Sequence, residues 1–194
     1  QRQMCIRDRV VKMAGIELEE LDAIAVAAGP GSFTGLRIGS STAKGMALAL
    51  KKPILSIPTL EGLAYRLTPV TDELVCPLMD ARRNQVYTGI YSFENNGLSI
   101  YLDSSAMDIM ELIPKLQEID KPVIFTGDGI PVFRDIIDKE LKTPHEYGRA
   151  GFNRQRASSV ALLGAELYKA GKTEKAEEHL PEYLRMSLSL IHIS

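Results

Sequence analysis

Apolar positions between residues 10 and 170 follow two alternating periods, and the alternation predicts the order of elements. Residues 22–28 form a short apolar run of strand length. A glycine-rich turn, Gly29-Pro-Gly-Ser-Phe-Thr-Gly35, then opens a helix predicted over 36–50. Lys52-Pro53 stops that helix, 54–57 reads as a second buried strand and 60–67 as another helix, an alternation typical of a parallel α/β sheet. The polar stretch 68–73 marks a lobe boundary. Three strands follow as a meander, 74–79, 86–93 and 98–102, joined at Arg82-Arg83-Asn84-Gln85 and Asn95-Asn96-Gly97. Beyond them come a helix over 108–119, a strand over 123–126 running into Gly127-Asp-Gly129, and helices over 132–141 and 158–170.

A three-stranded meander followed by helix, strand and helix is half of the two-lobed α/β plan shared by actin, sugar kinases and Hsp70. The chain is therefore expected to be an actin-like fold, with the remainder of a first lobe at 10–70 and a complete second lobe at 71–186. The first lobe's own opening meander would precede Val10. Topology alone assigns no function. Residues 1–9 (QRQMCIRDR) and 187–194 (SLSLIHIS) break the pattern and are read as foreign or disordered ends.

Bulk properties narrow the function classes. The 194 residues are 45% hydrophobic and 25% charged, a globular composition. A formal net charge of -2 gives no overall attraction to phosphate backbones, so nucleic-acid contact would need a local patch or a basic partner. Cys5 and Cys76 form neither a ligand cluster nor a secreted disulfide framework, which points to a reducing compartment. No apolar run is long enough to span a bilayer and no signal-peptide order is present, so the expected location is cytoplasmic.

The glycine loop is the most specific local feature. Its G-x-G-x-x-x-G spacing misses the dinucleotide fingerprint, and no G-K-[ST] follows, so neither Rossmann nor P-loop chemistry is supported. Gly29, Gly31 and Ser32 could cradle a phosphate at the helix start, or Ser32 or Thr34 could simply cap a tight turn. Asp80 could hold a metal or a phosphate, with Arg82 and Arg83 beside it as anion contacts, or the three could form a charged hairpin. Gly127 and Asp128 could approach a nucleotide or make an ordinary turn. Arg149, Arg154 and Arg156 are a basic stretch that either faces RNA or lies solvated in a loop. Ser32 does not sit in a nucleophile elbow, and His145 and His179 are read as solvated surface residues, so no nucleophile is assigned.

The helix over 36–50 carries the expectation of binding. Arg37, Ser41 and Lys44 fall on one narrow stripe and nearly everything else on it is apolar or small, so it needs more cover than one sheet face gives. Gly35, Gly39, Ala43 and Ala47 repeat every four residues, with Leu36 and Ser40 flanking them, and would let another helix approach closely. The cover could come from a second subunit or from the preceding helix of the same chain. Ala43→Arg is expected to abolish docking.

Five segments together resemble the TsaB (YeaZ) family in order and spacing. They are Ala28-Gly-Pro-Gly-Ser-Phe-Thr-Gly-Leu-Arg-Ile-Gly39, Thr42-Ala-Lys-Gly45, Asp80-Ala-Arg-Arg-Asn-Gln-Val-Tyr87, Thr126-Gly-Asp-Gly129 and Pro181-Glu-Tyr-Leu-Arg185. The resemblance implies the actin-like fold and a role in forming threonylcarbamoyladenosine on tRNA, beside a catalytic TsaD-like subunit and a TsaE-like ATPase. It also implies a four-helix interface made by the first two helices of each subunit, a surface that homodimers can share. TsaD-like proteins carry a metal-binding H-x-x-x-H after the strand that follows the glycine-loop helix, and Thr59 and Leu63 stand in that slot here. The resemblance therefore implies a non-catalytic partner that binds no cofactor alone, with ATP or ADP possible only at the subunit junction and tRNA reached through the complex. The alternative is an actin-fold phosphotransferase or acyltransferase using the glycine loops, Asp80 and Asp128.

Overall fold

The computed structural model describes residues 2–67, 73–94 and 97–184. The chain opens with α1 (Arg2–Ala14), so the segment expected to be without regular structure up to residue 9 is helical from Arg2. Ile6, Val10 and Met13 lie at i, i+4 and i+7 on one helical face, a spacing hidden by dividing the sequence between residues 9 and 10.

β1 (Ile24–Gly29), α2 (Phe33–Leu50), β2 (Ile54–Pro58) and α3 (Thr59–Tyr65) follow in the expected order. β1 and β2 pair in parallel, with Ile24 opposite Ile54 and Ala27 opposite Ile57, and form a two-stranded sheet among the described residues. Leu60, Leu63 and Ala64 of α3 are fully or nearly fully buried, and Leu60 and Ala64 pack with Val75 and Tyr91 of the next sheet. α3 thus joins the two halves of the molecule.

The second sheet has five strands. These are β3 (Leu74–Asp80), β4 (Gln85–Glu94), β5 (Gly97–Asp108), β6 (Val123–Thr126) and β7 (His145–Tyr147), in the order β5-β4-β3-β6-β7. The meander is antiparallel, while β3, β6 and β7 run parallel. α4 (Ile109–Ile119) and α5 (Ile130–Glu140) cover one face. Leu74, Cys76 and Leu78 of β3 point to that face, and the intervening Val75 points to α3, the period-two alternation of a strand buried on both sides.

Three differences from the sequence reading have physical causes. β5 continues past Leu102 through a polar run because Met107 pairs opposite the buried Val86. β7, confined by Pro144 and Gly148, is too short to show a period. α6 (Ala157–Lys169), expected within the second lobe, packs on the first lobe's sheet, where Val160 and Leu163 share a buried cluster with Leu55 and Ile57. The predicted boundary at 68–73 and the turn at 95–97 lie mostly outside the described residues.

Candidate docking surface

α2 begins where the sequence places a cap. The Ser32 hydroxyl accepts a hydrogen bond from the Gly35 amide at 3.4 Å, satisfying one of the free amides of the first turn. Leu36, Ser40, Ala43 and Ala47 are the buried face of this helix. Ala43 and Ala47 share a cluster with Ile54 and Ala176, against Ile24 and Val26, and a Cβ on Gly39 would meet Val26. The small-residue stripe expected to receive another helix is thus turned inward, toward β1 and β2. The reason is compact packing: small side chains let α2 lie close over its own sheet. Gly35 remains exposed at the helix start. The face open to solvent lies opposite, where Ile38 and Leu48 are about half exposed and Ser41 and Gly45 fall between them in helical register.

The cover that α2 lacks comes from the C-terminal segment 174–183. Glu174 exchanges two backbone hydrogen bonds with Ile54, at 2.9 and 3.0 Å. Ala176 enters the cluster under α2. Lys44 then donates to the carbonyls of Glu177 at 3.2 Å and His179 at 2.9 Å, and the Glu182 amide donates to the Ala28 carbonyl at 2.8 Å. Tyr183 lies 5.4 Å from Phe33, centroid to centroid, and the Arg37 guanidinium sits 4.2 Å over the Phe33 ring. His179, expected at the surface, is 1% exposed. Its Nδ1 lies 2.7 Å from both the Ser56 hydroxyl and a Glu174 carboxylate oxygen, and the Ser56 hydroxyl donates to that same oxygen. This triangle of side chains clips the segment to β2. His145, also expected to be free, lies 3.2 Å from Asp138.

The loop residues singled out for phosphate contact separate into two places. Gly29 has φ +139, and a Cβ there would collide with the Glu182 carbonyl, so the C-terminal segment occupies the space beside it. Glu61 of α3 has its carboxyl raised above the ordinary range, first by burial and then by Asp103 and Glu182, with Lys172 opposing them. Gly31 and Ser32 are exposed. The other group is assembled at the end of β3. Asp80 accepts from the Arg82 amide at 2.8 Å and pairs with its guanidinium at 3.2 Å. Arg82, Arg83 and Asn84 all take left-handed backbone angles at an exposed hairpin tip. Beside them, Gly127 has φ +106 and lies against the Leu78 carbonyl, which the Gly129 amide also reaches at 2.9 Å. Asp128, between them, is exposed. The Gly-Asp-Gly segment is a turn pressed onto β3, with Asp128 left facing outward.

α1 meets α2 through Arg7, whose guanidinium donates to the Met46 sulfur at 3.7 Å. Ile6, Val10 and Met13 on the same helix are 58%, 60% and 81% exposed. With Ile38 and Leu48 of α2, five large apolar side chains on the two helices stand in solvent. Thr59 and Leu63, at the slot of the histidine pair, are both buried. Among the described residues no group of histidines, cysteines and carboxylates is arranged to hold a metal ion, and no helix is long and apolar enough to cross a membrane.

Comparisons with known proteins agree with this architecture. The family model described as TsaD, tRNA N6-adenosine threonylcarbamoyltransferase, matches residues 1–191. The tRNA threonylcarbamoyladenosine biosynthesis protein TsaB of Bacillus subtilis (strain 168) is 37% identical over 171 residues, covering 87% of this chain and 72% of that protein. TsaB of Escherichia coli (strain K12) is 28% identical over 193 residues, 97% of this chain and 81% of the other. The solved structure of YeaZ from Pseudomonas aeruginosa superposes with a TM-score of 0.79 at 26% identity, covering 94% of this chain and 84% of that one. With its two-lobed α/β architecture, its glycine-loop helix and relatives spanning most of its length, the chain belongs to the TsaB (YeaZ) family and has the actin-like fold.

Proposed function

We propose that the chain takes part in forming threonylcarbamoyladenosine on tRNA as a non-catalytic subunit, and that it docks a TsaD-like catalytic partner through α1 and the outer face of α2. The observation that carries this reading is the exposed apolar set Val10, Met13, Ile38 and Leu48, with Ile6 beside it. Burying an Ile, Leu or Met side chain contributes roughly 1.5–3 kcal/mol, so a two-helix surface of this size can repay the entropy lost on association only by meeting a complementary apolar face. A second copy of the chain offers such a face, so homodimers form when the partner is absent. The buried Thr59 and Leu63 in place of a histidine pair support a role outside the chemical step. In this reading ATP or ADP binds only at the junction of the complex, and a TsaE-like ATPase works alongside it.

Reconstitution tests the assignment. A purified TsaD-like partner, given an activated threonylcarbamoyl donor and tRNA, should form the modified base much faster with this chain than without it, and the chain alone should form none. Base formation or steady ATP turnover by the isolated chain would favour an actin-fold phosphotransferase or acyltransferase instead.

A further inference from the structure

Arg66, far away in sequence, is brought beside Arg154 and Arg156 on one side of the molecule. Arg66, at the end of α3, donates through Nη1 to the Arg154 carbonyl at 3.4 Å, and its guanidinium sits 4.5 Å over the Phe152 ring. Arg154 and Arg156 are exposed on the loop that leads into α6. The loop is held firmly: the Gly148 amide donates to the Phe125 carbonyl at 2.8 Å, and the Thr126 hydroxyl donates to the Phe152 carbonyl at 3.0 Å.

Among the described residues, no carboxylate pairs with the group. The sequence has no acidic residue between Glu146 and Glu166. Among the described residues none of the three arginines has an ion-pair partner within 4.0 Å. Glu20 and Asp22 line the same groove as Arg156 without reaching that distance. The Arg66 guanidinium has its pKa lowered, first by burial and then by the charge of Arg156. Held like charges of this kind are relieved by an anion. In a chain of net charge -2 the concentration is local.

We propose that Arg66, Arg154 and Arg156 form a phosphodiester-contact patch that touches the RNA substrate. The proposal deepens the reading given above, since it takes the substrate to be tRNA. Guanidinium groups match phosphate oxygens in a bidentate fork, and the stack on Phe152 fixes one of them in advance. An acidic protein partner is a poorer fit. Among the described residues, none of the exposed large apolar side chains falls between residues 148 and 159, so the loop that carries Arg154 and Arg156 offers no large apolar anchor of its own.

Binding of labelled tRNA over a salt series tests the proposal, both for the mixture with a TsaD-like partner and for the chain alone at low salt. The variants are Arg154→Ala with Arg156→Ala, Arg66→Ala, and a control pair Lys115→Ala with Lys142→Ala, which removes the same charge from exposed positions on the far face of the second sheet. The arginine pair should weaken binding about tenfold and make the log–log salt slope shallower by about two, whereas the lysine pair should change neither. Equal binding by the wild type and the arginine variants in both arms would overturn the proposal. So would equal losses in the lysine control, or displacement of tRNA by ATP as readily as by unlabelled tRNA. The chain-alone arm reads the patch without any partner, so failure of docking and failure of the patch are distinguishable.

Discussion

Ala43 and Ala176 are buried in one cluster, one on α2 and the other on the C-terminal segment, so the inner face of the glycine-loop helix is closed by its own chain. This contact leaves the opposite side of the helix as the face that the proposed docking would use. It also changes what a substitution on each side should do.

Ala43→Arg should damage the fold rather than the interface. A charge placed without a partner among Ala47, Ile54 and Ala176 costs about 3–5 kcal/mol, enough to remove much of the stability of a domain this size. Thermal melting should show a large drop in Tm. Unchanged melting with lost association would return the interface to the inner face.

The C-terminal clip should fail selectively. Lys44→Met leaves the Glu177 and His179 carbonyls without their donor, and His179→Ala leaves Ser56 and Glu174 to pair only with each other. Each change should cost roughly 1–3 kcal/mol. Limited trypsin digestion should then cut near Lys172 and Lys175 several-fold faster while the second lobe stays intact. Protection equal to the wild type would mean that the segment is held by Glu174 and Glu182 backbone bonds alone.

Gly127→Ala should be strongly destabilising whether or not any nucleotide is present. The backbone there has φ +106, and a Cβ would strike the Leu78 carbonyl. A loss of about 2 kcal/mol or more is expected from the backbone angle and the displacement of β3. A variant of normal stability would reopen a ligand role for the Gly-Asp-Gly turn.

Alkaline pH should unfold the second lobe through its core. Burial pushes the Cys76 thiol from its ordinary 9.0 up to about 12, and burial raises the Tyr91 hydroxyl as well. The unfolded thiol therefore ionises first. The stability tied to Cys76 is fully present below about pH 9 and is lost as pH rises toward 12. Chemical denaturation between pH 8 and 11 should show the decline, and Cys76→Ala should show a shallower one. Matching slopes would mean that the thiol is not shielded.

Much of this arrangement was legible in the sequence, because β3, β4 and β6 are apolar runs of strand length and Ser32 caps the helix it precedes. The orientation of α2 was not. Both of its faces read as apolar or small, and the inner one is set by long-range packing on Ile24, Val26, Ile54 and Ala176. His179 looked like a surface residue because its neighbours Glu177 and Glu178 are charged, while its burial depends on Ser56 and Glu174. Arg66 joins Arg154 and Arg156 only through the packing of α3 against the loop before α6, a long-range contact that local pattern does not encode.

Light scattering of the chain mixed with a TsaD-like partner, wild type against Ile38→Arg and Leu48→Arg, tests the docking surface most directly. These side chains are about half exposed, so both variants should melt like the wild type, within about 0.5 kcal/mol in stability. The wild type should form a one-to-one complex that both variants lose. A complex that survives both substitutions at wild-type affinity would contradict docking through this face of α2.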